Sequence, residues 1–277
     1  MTTPGLEIRE PSAAGVFYPS EPEELQAAVR ELLDDTKADP AGDTAIALIS
    51  PHAGYPFSGS TAAYGFNLVS RQSTDVAVIV SPSHREYFDG ISVFDGDAYR
   101  TPLGIMPVHK DLRSELLAGG PAIEASGRGH GEEHSIEVQL PFLQTIFGNI
   151  DILPIVIGDQ RREYCFRLGE QLGSILRGRN ALLIASTDLS HYYTSEVAQE
   201  LDQIIIDDVA AFDYELLMDD LENGRSEACG GGPTVAVLIA AKKLGAGRVR
   251  ILSQCNSGDI AGDRRRVVGY VSAAALL

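Results

Sequence analysis

The chain has 277 residues, 44% of them hydrophobic, with 22 lysine plus arginine against 39 aspartate plus glutamate and a formal net charge of −17. That balance argues against non-specific binding to nucleic acid or anionic membranes, because both are polyanions. No apolar run approaches the ~20 residues of a membrane span, and Met1 to Glu7 has neither the basic start nor the apolar core of a signal peptide, so a cytoplasmic protein of one domain, 1–277, is expected.

In chain order, residues 1–19 predict an irregular arm whose Phe17 and Tyr18 dock on the body. Ser20-Glu21-Pro22-Glu23 matches a capping box before Leu25, Ala28, Val29, Leu32 and Leu33, whose spacing predicts an amphipathic helix. A short apolar strand, Ala45 to Ser50, runs into Pro51-His52-Ala53-Gly54, with a helix expected from Ser58. Residues 75–81 repeat the plan and lead to His84. Between Gly90 and Val108 alternation broken by proline and glycine predicts antiparallel or edge strands. A helix over 109–117 follows, then one opening at Glu132, in which His134 and Glu137 are three apart and project together from the first turn. A strand over 151–157, a helix over 160–177 and a strand over 181–186 lead to Asp188 and His191. Helices across 195–222 and 232–244 precede strands over 248–254 and 266–274. This alternation is the pattern of an α/β protein, a three-layer α/β/α sandwich around a mixed, largely parallel sheet.

In such sheets ligands bind in the crevice outside the carboxyl ends of the strands. Three strands of this kind bring His52, His84, Asp188 and His191 to one edge, with His134 and Glu137 adding an imidazole and a carboxylate. A lone histidine in a loop is ordinarily just a hydrogen-bonded residue, but three at strand ends point to a cluster. Two imidazoles plus one carboxylate suit Fe(II), Zn(II) or Mn(II), and the remaining histidines and acids can orient ligands or move protons. His109 and His130 are expected on the surface. Cys165, Cys229 and Cys255 are odd in number and contain no C-x-x-C pair, which excludes a disulfide framework and a zinc ribbon. Cys229 precedes a glycine run and a helix, where backbone N–H groups can lower a thiol pKa or bind an anion, or the glycines can simply turn the chain. The carboxylates of 257–263 are either a third metal ligand or turn residues. A P-loop, a dinucleotide glycine fingerprint, H-E-x-x-H and G-x-S-x-G are all missing, so nucleotide-dependent and serine-hydrolase functions lack support.

Taken together, Gly15-Val16-Phe17-Tyr18-Pro19, Pro51-His52-Ala53-Gly54-Tyr55, Ser81-Pro82-Ser83-His84, Thr101-Pro102-Leu103-Gly104, Glu133-His134-Ser135-Ile136-Glu137, Ser186-Thr187-Asp188-Leu189-Ser190-His191, Ala228-Cys229-Gly230 and Ser257-Gly258-Asp259 resemble the Memo family, whose prokaryotic members are called AmmeMemoRadiSam system protein B. The resemblance implies a fold like that of class III extradiol dioxygenases, which hold non-haem Fe(II) with two histidines and a glutamate. It makes His52 and His84 metal ligands and places Asp188 and His191 in the same pocket. Animal members carry a cysteine ligand at about the position of Ile260; since isoleucine cannot bind metal, Asp259 is the expected third ligand, ahead of Cys255 and Cys229. The peptide-binding role described for animal members is not carried over, because a surface at −17 repels phosphate. The family's system name implies AMMECR1-domain and radical SAM partners.

The resulting expectation is a non-haem metal-dependent redox protein acting on a small-molecule substrate, with iron first and copper or zinc as alternatives. His52, His84 and Asp259 hold the metal, and His191, His134 and Asp188 do the proton chemistry. The alternatives are a non-catalytic metal- or partner-binding protein and a metallohydrolase.

Overall fold

A computed structural model describes residues 6–36, 43–120 and 122–277. The elements are β1 (Ile8–Arg9), α1 (Pro22–Asp35), β2 (Ala45–Ser50), α2 (Ser60–Val69), β3 (Val76–Pro82), β4 (Ile91–Val93), β5 (Ala98–Thr101), β6 (Gly104–Pro107), α3 (Lys110–Leu117), β7 (Ile123–Ala125), α4 (Leu140–Phe147), β8 (Asp151–Ile157), α5 (Arg162–Ile175), β9 (Ala181–Ser186), β10 (His191–Tyr193), α6 (Ser195–Ala210), α7 (Tyr214–Glu222), α8 (Gly231–Lys243), β11 (Arg248–Asn256), α9 (Ser257–Ala261) and β12 (Val267–Leu276).

Among the described residues, nine strands form one mixed sheet in the order β10-β12-β2-β9-β3-β8-β4-β7, with β11 on the other edge of β12. Its centre, β2-β9-β3-β8, is parallel, while β4 on β8 and β12 on β2 are antiparallel. Every residue of β3 is buried, as expected of a strand covered on both faces. Val76, Val78 and Val80 face a core formed with α3 and α5 to α8, whereas Ala77 and Ile79 face a second core under α1, α2 and α4. The three-layer α/β/α arrangement follows from this alternation. The small sheet β1-β5-β6 lies over the second core through Tyr99 and Met106.

Several boundaries differ from the sequence expectation for local reasons. No capping box opens α1: Glu21 is the N-cap without a side-chain bond and Pro22 starts the helix, its fixed φ and missing N–H suiting the first turn. The helix expected near Ser58 starts at Ser60, fed by a single π-helical turn over Tyr55–Gly59. The helix expected at Glu132 begins only at Leu140, after a 3₁₀ turn over Glu137–Gln139, because Pro141 fits only a first turn. The 195–222 segment is two helices, broken where Phe212 adopts φ 58° and Asp213 caps α7.

The arm does dock, and it does so through Glu137. The buried Glu137 carboxylate accepts from Arg9, from the Tyr18 hydroxyl, and from the backbone N–H groups of Ser12 and Ala13 at 2.9 Å each. Arg9 also donates to the carbonyls of His130 (3.0 Å) and Glu133 (2.6 Å), so the arm holds the 130–137 segment in place. Glu137 is therefore an anchor for the arm and not a partner of His134.

Removing one member of a buried ion pair costs far more than removing both, because the survivor stays desolvated. Glu137→Ala is expected to lose ~3–5 kcal/mol in urea unfolding, and the double change Arg9→Met/Glu137→Leu to recover much of it; equal losses would contradict an ion pair as the cause. A second expectation concerns Asp208, whose Oδ2 is buried without a hydrogen-bond partner. Burial, with Asp220 and Asp213 nearby, pushes its carboxyl up to about 6. A raised carboxyl pKa means the folded state holds the proton more tightly, so this stabilisation is full below the unfolded value and is lost as pH rises through about 6. Asp208→Asn should raise stability at pH 8 by ~1 kcal/mol and flatten the difference between pH 4 and 8, as read by thermal unfolding.

Candidate metal centre

The parallel register sets Ser50 at the end of β2 beside Ser186 at the end of β9, with β3 on the other side of β9. The loops carrying His52, Asp188 and His84 therefore leave one edge of the sheet. His52 and His84 rings meet edge-on with centroids 5.1 Å apart, and His134 joins them at 5.4 Å from His52 and 4.9 Å from His84.

The fourth participant comes from the start of α8. A Cβ on Gly230 would sit 2.2 Å from the Ser186 carbonyl oxygen, so only glycine lets α8 abut β9 this closely. That approach places Cys229 Sγ 3.1 Å from His52 Nε2, and Sγ accepts from the Asp188 N–H at 3.2 Å. Donor atoms of His52, His84 and Cys229 all lie within 4.8 Å of one another, as do those of His84, Glu133 and His134. Asp259 belongs to neither group. Its carboxylate completes a capping box with Asn256 at the start of α9 and pairs with Arg264 at 3.3 Å, the ordinary work of an aspartate in a first helical turn. Where Asp259 was expected beside His52 and His84, the structure places Cys229.

Hydrogen bonding sets the tautomers of both histidines. Ser186 Oγ donates its one proton to the Ser135 carbonyl (2.7 Å) and accepts from Gln139 Nε2 (2.8 Å), so the 2.9 Å contact with His52 Nδ1 must be donated by the ring. Nε2 is left as a bare lone pair facing the thiol, as a metal ligand requires. On His84, Nδ1 donates to Glu133 Oε1 (2.9 Å) and the main-chain N–H to Oε2 (2.6 Å), leaving Nε2 free. Burial acts to raise the Glu133 pKa, but the hydrogen bonds from His84 and the Ser135 N–H outweigh it and hold the carboxyl down at about 2. Burial keeps His52 neutral, helped by repulsion from His84 and His134, and lowers His134 to about 4. It raises Asp188 to about 7, against the hydrogen bond from the His52 N–H (2.8 Å), and drives the Cys229 thiol well above its usual range. A cation at the site would displace that thiol proton.

The donor set fits a transition metal. Tetrahedral zinc bonds of ~2.05 Å to nitrogen and ~2.3 Å to sulfur separate such ligands by about 3.5 Å, so the 3.1 Å pair need open only a few tenths. His191 is half-buried beside this group, its N–H held by Glu227 Oε1 at 2.9 Å. His130, expected on the surface, is fully buried between Tyr99 and the Ser92 carbonyl, and His109 caps α3. The sequence gives no role to Glu133 or Gln139, and to Ser186 only that of a polar neighbour of the histidines. Glu133 stood next to His134 in the sequence, but a helical spacing rule pointed to Glu137 instead.

With this geometry in place, the comparisons are decisive about kinship. A family model described as Memo-like protein matches residues 9–274. The chain belongs to the Memo family. A MEMO1 family protein of Methanosarcina mazei is 38% identical over 270 residues, covering 96% of this chain and 98% of its own, and one from Thermotoga neapolitana is 37% identical over 277 residues, covering 96% and 99%. The crystal structure of an uncharacterized Escherichia coli K12 protein, JW3007, superposes with TM-score 0.54 at 14% identity, covering 83% of this chain and 99% of that one, which is a likeness of fold.

Ser186→Ala removes the acceptor that fixes the His52 tautomer. For this Memo protein the expected result is a 10–100-fold weaker metal affinity by competitive chelator titration, together with loss of the Nδ1–H signature of His52 in nitrogen NMR of the metal-free chain; unchanged affinity would assign Ser186 to packing alone.

Proposed function

We propose that this Memo protein is a non-haem metal-dependent oxidoreductase in which His52, His84 and Cys229 hold one redox-active ion, iron or copper, open to a small molecule. The observation that carries this reading is the His52 Nε2 lone pair, fixed by Ser186, facing the Cys229 sulfur at 3.1 Å. When bound, such an ion supplies Lewis acidity and one-electron chemistry toward oxygen or an organic substrate. Two neutral imidazoles and one thiolate leave a divalent ion with a net positive charge, suited to an anionic or polar substrate group. Glu133 keeps His84 oriented, and the loop of Asp188 orders both the His52 backbone and the sulfur. Asp188, buried with its carboxyl raised to about 7, is the group best placed to hold or release a proton near neutrality, with His134 and His191 as the imidazoles beside the open side. Three unpaired cysteines fit a reducing, cytoplasmic setting.

A second reading is favoured by Phe57, Tyr87 and Tyr192, which are 42%, 73% and 64% exposed and lie within five residues after His52, His84 and His191 respectively. Solvent-facing aromatics around one site are a mark of protein interfaces. On that reading the centre serves AMMECR1-domain and radical SAM partners without turnover of its own.

The test is elemental analysis of protein purified without oxygen or chelator, followed by oxygen uptake with catechol-type compounds. Near-stoichiometric iron or copper is expected in the wild type, lost in His52→Ala, His84→Ala and Cys229→Ala but kept in Asp259→Ala, with uptake tracking the metal. Metal retained in Cys229→Ala would overturn the ligand set. Metal without uptake, combined with tight binding to either partner, would move the function to the second reading, and activity with zinc in the absence of oxygen to a hydrolase.

A further inference from the structure

On the far side of His84 from Cys229 lies a donor set that the first centre does not use. Glu133 Oε1 is 2.9 Å from His84 Nδ1 and 3.4 Å from His134 Nδ1. Nitrogen and oxygen ligands on a tetrahedral ion with bonds of ~2.0–2.1 Å stand about 3.3 Å apart, so the 3.4 Å separation already matches, the 2.9 Å one need open only a few tenths, and all three donor atoms lie within 4.8 Å of one another. The backbone holds the carboxylate independently of any ion: Oε2 accepts from the His84 N–H at 2.6 Å and Oε1 from the Ser135 N–H at 3.0 Å.

A separate observation points the same way. His134 Nδ1 is buried and has no hydrogen-bond partner, an arrangement that costs ~1–3 kcal/mol unless something satisfies it. The ring cannot turn away freely, since it stacks on Phe17 with centroids 4.3 Å apart, and Phe17 belongs to the arm clamped by Glu137. The orphaned nitrogen thus faces a carboxylate oxygen and a second imidazole.

We propose that His84 Nδ1, Glu133 and His134 Nδ1 form a second cation site, sharing His84 with the first centre and taking a borderline divalent ion such as zinc. Two imidazole nitrogens with one carboxylate oxygen select zinc over magnesium or calcium, which take oxygen ligands. The ion takes the place of the proton between His84 Nδ1 and Glu133, which leaves to solvent; no electron is transferred. With both positions filled, His84 bridges the two ions through its two nitrogens.

Zinc titration of the chelator-stripped full chain, with stoichiometry from calorimetry and elemental analysis, tests this. Wild type should bind two equivalents. Cys229→Ala and His134→Phe should each bind one, the phenylalanine keeping the stack on Phe17, and His84→Ala should bind neither. Glu133→Gln provides a second probe, binding one equivalent, should His134→Phe fail to fold by circular dichroism. A single equivalent lost in Cys229→Ala but kept in both His134→Phe and Glu133→Gln overturns the second site and leaves the first standing. A single equivalent with the opposite pattern overturns the first centre and supports the second.

Discussion

The parallel pairing of β2, β9 and β3 is the constraint on which the rest of the molecule depends. Hydrogen bonding fixes their relative register, so Ser50 and Ser186 lie side by side and the chain leaves all three strands at the same edge. Three histidine- or aspartate-bearing loops then have nowhere to go but toward one another. Helices on both faces bury all but one residue each of β2 and β9 and all of β3, which is what makes the register worth defending: a slip by one residue would exchange the apolar sets of the two cores. The geometry of the histidine cluster is inherited from that pairing and does not have to be built by the loops themselves.

Polar groups around the edge do the finer work. Ser186 and Glu133 each occupy one nitrogen of a histidine, and in doing so aim the other. Gln139 and the Ser135 carbonyl in turn complete Ser186, so a chain of four groups determines where one lone pair points. Glu137 extends this outward: by gathering Arg9, Ser12, Ala13 and Tyr18 it ties the arm to the segment that carries Glu133 and His134.

How much of this could be read from the sequence depended on whether a residue's role is local. His52 and His84 were legible because apolar runs end beside them, and the sandwich because strand and helix periods alternate. The capping box at Ser20 and the helix at Glu132 failed because prolines, Pro22 and Pro141, dictated where the helices start. Cys229 was undervalued because its place is decided by a tertiary approach, Gly230 against Ser186, that no spacing along the chain encodes. Asp259 illustrates the converse: a carboxylate just after a strand looks the same in sequence whether it binds an ion or caps a helix. Ser186 stood out only as one of several small polar residues beside the histidines, because its link to His52 is a tertiary contact.

The order of the strands also has a consequence during synthesis. β9 lies between β2 and β3, so those two cannot adopt their final spacing until residues 181–186 have been made, and the thiol follows later still. From His84 to Cys229 is 229 − 84 = 145 residues, roughly 7–30 s of elongation at ~5–20 residues per second. Throughout that interval the nascent chain displays histidines without the sulfur that completes their set.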